Sequence, residues 1–316
     1  MKSVGIIGVG QIGGTLAHMV LQHRIPVRLG LYDVNEDALQ GKVWDLEEAS
    51  IIGKFEGNLE IVSSLEKFES FDVLVITAGR FRTPGMSRAD LLKENSEILQ
   101  SIAKKIENFK GVVVIVTNPV DLMARFFSDL HPLPSSRILG MAGVLDEGRM
   151  AYHIKAFSGL KGQSVRPCVI GPHSDRMVPL QAIKVGPGNL QDIVKFSQEQ
   201  KNSIDQNTRF GGGRIIEKLK SGSAFYGPAS ACFRMIQNLL ELQQEVLTCS
   251  IQMGTNEMIH GIESKIFFGW PVILGKEGVK KKVNPEINTQ ELGELNSALL
   301  ALQKEYEEFF LERGGK

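Results

Sequence analysis

Cysteine is scarce in this sequence. Three thiols, Cys168, Cys232 and Cys249, stand among 316 residues. An odd count without CxxC spacing excludes a disulfide framework and a redox pair, and reads as small buried hydrophobes in a reducing compartment. The histidines complete no zinc pattern with them: His18 and His23 do not share the one-face spacing of helical ligands, so no metal is expected. Net charge is missing too. The 36 basic and 36 acidic residues cancel, which leaves no electrostatic footprint for nucleic acid or a membrane surface. No apolar run is long enough to span a bilayer. A strand-like run over residues 4–7 begins too close to Met1 to leave room for a targeting leader. Solenoid repeats and low-complexity tracts are absent. The expectation is a soluble, cytoplasmic chain whose length lets it bury roughly 75% of its extended surface without staples.

What is present begins with periodicity. Residues 3–7, 27–33, 58–62, 71–77 and 112–117 read as strands, and 12–23, 38–49 and 91–108 as helices. The strands are apolar throughout rather than alternating, which predicts a parallel sheet covered on both faces. Strand–helix alternation with short loops predicts a doubly wound, Rossmann-type α/β fold. The second half reads as α+β. It has a helix over 148–158, strands over 165–171 and 178–185, and helices over 189–207 and 213–220. A long apolar helix over 228–252, a hairpin-like stretch over 265–274 and a charged helix from 287 to 312 follow. The expected domains are 1–143 and 144–316. Lys280, Lys281 and Lys282 read as a solvated loop.

Four segments carry chemistry. Gly8-Val9-Gly10-Gln11-Ile12-Gly13 follows a strand and opens a helix. There Gly8 permits a tight turn, Gly10 lets backbone approach a pyrophosphate, and Gly13 allows close helix–strand packing. A helix N-terminus suits that anion. Asp33 ends the second strand, where a carboxylate accepts from ribose hydroxyls and repels a 2′-phosphate, favouring NAD over NADP. The run from Thr77 to Arg88 leaves a strand's carboxyl end as a loop broken by Pro84 and Gly85, and it carries Arg82 and Arg88. Thr117-Asn118-Pro119 caps the next strand, and Asn118-Pro119 is expected to be cis. Downstream stand Arg149 and the run Gly171-Pro172-His173-Ser174-Asp175. Alone, Arg82 and Arg88 read as solvated charges, Asn118 as turn chemistry and His173 as a structural histidine. Together, a nicotinamide site, a proton-carrying imidazole and several guanidinium forks suit hydride transfer on a small acid bearing carboxylates.

Taken together, these segments resemble the lactate/malate dehydrogenase family over nearly the whole chain. The stretch Arg137-Ile138-Leu139-Gly140-Met141-Ala142-Gly143-Val144-Leu145-Asp146-Glu147-Gly148-Arg149 is similar to the family's aspartate–arginine segment. Ser223-Ala224-Phe225-Tyr226-Gly227-Pro228 and Pro271-Val272-Ile273-Leu274-Gly275 match later ones. The resemblance, strongest to the lactate-dehydrogenase-like malate enzymes of bacteria, implies reversible hydride transfer between (S)-malate and NAD. His173 would carry the hydroxyl proton, and Asp146 would orient it and favour its charged form. Arg149 would hold the 2-hydroxy acid's carboxylate by a bidentate fork, and Arg88 would polarise the carbonyl. Asn118 would contact substrate and lie near the nicotinamide. Asn95, Val116 and Thr117 would lie along the cofactor, with Gly8, Val9, Gly10, Gln11, Ile12, Gly13 and Asp33. Arg82, which is Gln in lactate enzymes, would take a second carboxylate, and Ala224 is the malate-type choice. A homodimer or homotetramer is implied.

The sequence departs from the family close to His173. Pro172 and Ser174 replace two glycines, Arg176 replaces a small polar or acidic residue, and Glu147-Gly148 replaces Ser-Ala. Proline fixes φ and Ser174 disfavours positive φ, and an inward Arg176 would oppose a charged imidazole. Two alternatives stand beside the malate reading: action on lactate or another 2-hydroxy acid, and a protein that binds NAD without catalysis.

Overall fold

A computed structural model describes residues 2–81, 87–220, 222–253 and 265–311, with the side chains of Arg88, Gln163 and Leu311 excepted. The chain divides into two compact units. One comprises Met1–Met141, Phe225–Glu245 and Ile273–Lys280; the other comprises Ala142–Ala224, Val246–Val272 and Lys281–Lys316.

The first unit opens with β1 (Lys2–Ile7), α1 (Gln11–Gln22), β2 (Val27–Tyr32), α2 (Glu36–Gly53), β3 (Asn58–Ile61) and β4 (Val73–Ile76). It continues through α3 (Arg88–Lys105), β5 (Val112–Ile115), α4 (Val120–Leu130) and β6 (Ile138–Gly140). The six strands run parallel in the order β3-β2-β1-β4-β5-β6. Val112, Val113, Val114 and Ile115 are fully buried, as expected for strands covered on both faces. Strand order reverses between β1 and β4, so the loops leaving Ile7 and Ile76 open on one crevice, where open α/β sheets bind ligands. The sequence reading passed over α4 and β6; the first is only 11 residues long and the second only three, too short for periodicity to separate them from loop.

In the second unit α5 (Gly143–Ser158) is followed by β7 (Val165–Arg166), β8 (Val169–Ile170), β9 (Val178–Pro179), β10 (Lys184–Val185), β11 (Gly188–Asn189), α6 (Leu190–Ile193) and α7 (Gln198–Leu219). After α8 (Tyr226–Leu239), which belongs to the first unit, come β12 (Val246–Gln252), then β13 (Phe267–Gly275) and β14 (Gly278–Lys282), whose residues are divided between the two units, and α9 (Thr289–Tyr306) of the second. Met150 and Ile154 of α5, Ile204 of α7, Val165, Val169 and Met177 share one apolar core.

Several expectations are corrected here. The single strand over 165–171 is two strands in different sheets, because Pro167 has no N–H to give a ladder. Residues 178–185 split the same way after Pro179. The two helices expected around residue 210 are one helix that runs through Gly211, Gly212 and Gly213. The long helix over 228–252 stops at Leu239, and Val246–Gln252 is a buried strand. Glu241 adopts a φ of 56° there and turns the chain. An apolar run alone does not separate helix from buried strand. Lys280, Lys281 and Lys282 lie in β14, not a loop. Among the described residues no helix is long and apolar enough to cross a membrane.

Candidate active site

In the first unit the glycine loop joins β1 to α1. Gly8 has a φ of 93°, which side chains rarely adopt. A Cβ on Gly13 would stand 2.1 Å from the Gly8 carbonyl oxygen, so only glycine lets α1 close on the turn. A Cβ on Gly10 would meet no atom of the described residues within 4 Å, and the residue is exposed. Among the described residues no side chain caps α1, and no acidic residue stands in its first turn. Its first N–H groups and its dipole would therefore suit an anion. Asp33 is held beside the loop: Oδ2 accepts the Val9 N–H at 2.7 Å and Oδ1 the Asn35 N–H at 3.0 Å. An open cradle, a helix N-terminus and a fixed carboxylate fit a dinucleotide. Gln11 is exposed, Ile12 half-buried and Val9 buried.

The neighbouring loops are fastened to this one. Thr77 Oγ1 donates to the Gly8 carbonyl, and Thr117 Oγ1 to that of Ala78 at 2.6 Å. Asn95, fully buried on α3, accepts the Arg80 N–H through Oδ1 at 2.7 Å. Its Nδ2 donates to the carbonyls of Arg80 and Asn118 at 3.2 and 2.6 Å. Both Nδ2 hydrogens are thereby spent on the two strand-end loops. Val116 and Thr117 are buried, Asn118 is exposed, and the Asn118-Pro119 bond is cis. Ser87 and Asp90 form a capping box at the start of α3, which places the backbone of Arg88 in its first turn. Arg82 lies outside the described residues, as do Pro84 and Gly85.

The second unit brings three of the named side chains together. Asp146 and Arg149, three apart on α5, share a helix face. Asp146 is 1% exposed. Its Oδ2 accepts from His173 Nδ1 at 2.6 Å and its Oδ1 from Arg149 Nη1 at 2.8 Å. A buried carboxylate is tolerable only when paired in this way. Because the carboxylate accepts, Nδ1 carries the hydrogen and Nε2 is the ring's working nitrogen. Arg149 Nε is buried and has no hydrogen-bond partner among the described residues.

His173 projects from the loop between β8 and β9. Gly171, at a φ of 86°, exchanges two backbone hydrogen bonds with Gly269, at 2.9 and 2.8 Å. Ser174 donates its N–H to the Pro172 carbonyl and accepts the Arg176 N–H on Oγ. Gly171 alone in this loop has a positive φ, so Pro172 and Ser174 cause no backbone conflict. Arg176 is exposed and does not turn inward. Glu147 accepts a hydrogen bond from Thr248 Oγ1. Burial, with the nearby Glu147 charge, pushes the Cys168 thiol well above its ordinary range, as suits an inert hydrophobe.

Sequence reasoning missed Arg209 of α7, whose guanidinium reaches the carbonyl of Met177 in this same loop. Its only local signal was the i, i+4 pair with Asp205 ahead of three glycines.

Two family models match the chain: the lactate/malate dehydrogenase NAD binding domain over residues 2–140, and the lactate/malate dehydrogenase alpha/beta C-terminal domain over residues 143–312. The malate dehydrogenase of Ehrlichia chaffeensis is 34% identical over 309 residues, 96% of this chain and 97% of that one. Among solved structures, Cryptosporidium parvum malate dehydrogenase is similar at a TM-score of 0.91 and 32% identity, covering 98% of each chain. A lactate dehydrogenase of the same organism, complexed with lactic acid and nicotinamide adenine dinucleotide, gives 0.90 and 29% over 98% of each chain.

Proposed function

The chain belongs to the lactate/malate dehydrogenase family, and we propose that it catalyses reversible hydride transfer between (S)-malate and NAD, giving oxaloacetate, NADH and a proton. The observation that carries this reading is the buried Asp146 carboxylate, which holds His173 by one oxygen and Arg149 by the other. The glycine loop and Asp33 would hold the dinucleotide, which when bound would supply the hydride acceptor and donor. In oxidation the neutral His173 Nε2 takes the hydroxyl proton; in reduction the imidazolium returns it to the carbonyl oxygen. Asp146 fixes the tautomer and balances the imidazolium charge. Arg149 holds the carboxylate next to the reacting carbon, and Arg88 stabilises negative charge on the oxygen. Arg82 takes the second carboxylate, and Asn118 contacts substrate. Steady-state NADH oxidation with oxaloacetate, pyruvate and 2-oxoglutarate side by side tests the assignment. Preference for pyruvate would move the chain to the lactate side, and no turnover with any of them would leave a dinucleotide-binding protein.

Asp33 supports NAD rather than NADP. Its carboxylate is pinned to the loop and would face a 2′-phosphate, a like-charge contact that costs several kcal/mol. We expect kcat/KM for NADH to exceed that for NADPH by at least about tenfold; equal values would remove Asp33 from cofactor choice. Exposed Arg176 is expected to be silent, so Arg176→Thr should give a pH profile of malate oxidation superimposable on the parent's. A displaced acidic limb would show that Arg176 does act on His173.

We also propose a cytoplasmic homodimer or homotetramer. On α2, Trp44, Ile51 and Ile52 are 61%, 65% and 83% exposed; the first two, seven residues apart, share a helix face with the third beside them. Tyr152 on α5 is exposed as well. The apolar face of α8, by contrast, is already covered within its own unit, packed on α1. Light scattering at micromolar concentration should give at least twice the 34.8 kDa of one chain; a single-chain mass would refute the proposal.

A further inference from the structure

Three consecutive glycines inside a 22-residue helix are a local liability, since glycine is among the poorest helix formers. Two of them face Arg149. A Cβ on Gly211 would stand 3.3 Å from Arg149 Cδ, and one on Gly212 would stand 3.3 Å from Nη2. Both are tighter than ordinary contacts, so the Arg149 side chain would have to give by a few tenths of an ångström. Two residues earlier, every nitrogen of the Arg209 guanidinium is engaged. Nε meets both oxygens of Asp205 at 3.0 and 2.9 Å, and Nη2 meets Glu294 of α9 at 3.2 Å. Nη1 donates to the Met177 carbonyl and, at 3.5 Å, to that of Asp175. Those carbonyls close the His173 loop at the end opposite Gly171. The loop is thus pinned by Gly269 on one side and Arg209 on the other.

We propose that α7 positions both acting side chains of this unit: Arg209 fixes the loop that carries His173, and the Gly211–Gly212 pair seats the Arg149 guanidinium. Arg209 is a positioning residue, because it touches the loop backbone and not the reacting atoms. The physical basis is tolerance: a displacement of about 1 Å at a reacting group costs on the order of 10²-fold in rate. A charged fork shared among two carboxylates and two carbonyls holds its target more tightly than a neutral side chain would. The proposal rests on the catalytic reading of His173 and Arg149 given above.

The two halves predict opposite kinetic signatures. Arg209→Gln should lower kcat for oxaloacetate reduction by at least about tenfold, leave KM within about threefold, and leave the Kd for NADH unchanged. Arg209→Lys, which can still reach one carbonyl, should restore most of the rate. Gly212→Ala should raise KM for oxaloacetate by about fivefold or more with little change in kcat. Its Tm should not fall, because alanine improves the helix. If Arg209→Gln does not fold, Asp205→Asn, which keeps the arginine but loosens its aim, should still lower kcat by about threefold. An Arg209→Gln or Asp205→Asn enzyme with parental kcat overturns the loop half, as does a parallel loss of kcat, substrate affinity and NADH binding. An unchanged KM in Gly212→Ala overturns the other half. A readout that needs no turnover separates this proposal from the functional one. The low-field proton resonance of the His173–Asp146 hydrogen bond, assigned by its loss in His173→Asn, should shift or broaden in Arg209→Gln. An identical resonance in parent and variant refutes the role of Arg209 in fixing the His173 loop. A parent chain that reduces no 2-oxo acid refutes the functional reading alone.

Discussion

Replacing His173 with asparagine should lower kcat in both directions by about 10²–10⁴-fold, the range that positioned proton transfer contributes, while NADH still binds. The reasoning begins with Asp146. It is buried, and its two oxygens are committed to His173 and Arg149. Asparagine can reproduce a hydrogen bond to that carboxylate but has no group that takes a proton from an alcohol at neutral pH. Reduction suffers equally, because the same nitrogen must return the proton to the nascent alkoxide. Binding of NADH is assigned to the other unit, whose loop hydrogen bonds do not involve His173, so fluorescence titration should give an unchanged Kd. Single-turnover mixing of the variant with NADH and oxaloacetate isolates the chemical step from product release. If the variant keeps more than about a tenth of the parental rate, the proton route does not run through His173.

Arg82→Gln should move the preference from oxaloacetate toward pyruvate by about 10²-fold. A charged hydrogen bond contributes ~1.5–3 kcal/mol, and a fork on the second carboxylate makes two. The sum of ~3–6 kcal/mol corresponds to about 10²–10⁴ in relative kcat/KM. The sequence expectation of a loop broken by Pro84 and Gly85 would admit solvent, whose screening argues for the lower end. Glutamine keeps a donor but loses the charge and the fork geometry, so pyruvate, which has a methyl in place of the carboxymethyl group, is no longer at a disadvantage. The ratio of kcat/KM for the two acids is the measurement. A value within about threefold of the parent's would mean that discrimination lies elsewhere, with Ala224 the next position to vary.

Local signals served best where one physical requirement acts over a few residues. Gly8 and Gly13 were legible because the turn needs a positive φ at one and bare backbone at the other. The place of Asp33 was legible because the second strand ends there, and the structure pins its carboxylate to the glycine loop. The reading failed where a run had two local solutions. Val246–Gln252 satisfies a buried helix as well as a buried strand, and only its place among other strands selects the latter. The glycines at 211–213 look like a break in isolation, yet α7 continues because α5 packs against it and Arg149 fills the space they leave. Pro172 and Ser174 look disruptive beside His173, and the structure shows Gly171 alone in that loop taking the unusual dihedral.

By itself the sequence determined the parallel sheet, the dinucleotide loop and the chemistry available: His173, Asp146 and a set of guanidinium groups in a family order. Those properties are written in hydrophobic periodicity and in residue types at short spacing, which act without reference to distant chain. Tertiary structure alone decided that Asp146 divides its two oxygens between His173 and Arg149, that Asn95 spends its amide fastening two loops, and that Arg209 reaches across more than thirty residues to the Met177 carbonyl. Hydrogen bonds between residues so far apart depend on how elements pack, and packing leaves no periodicity in the chain to read.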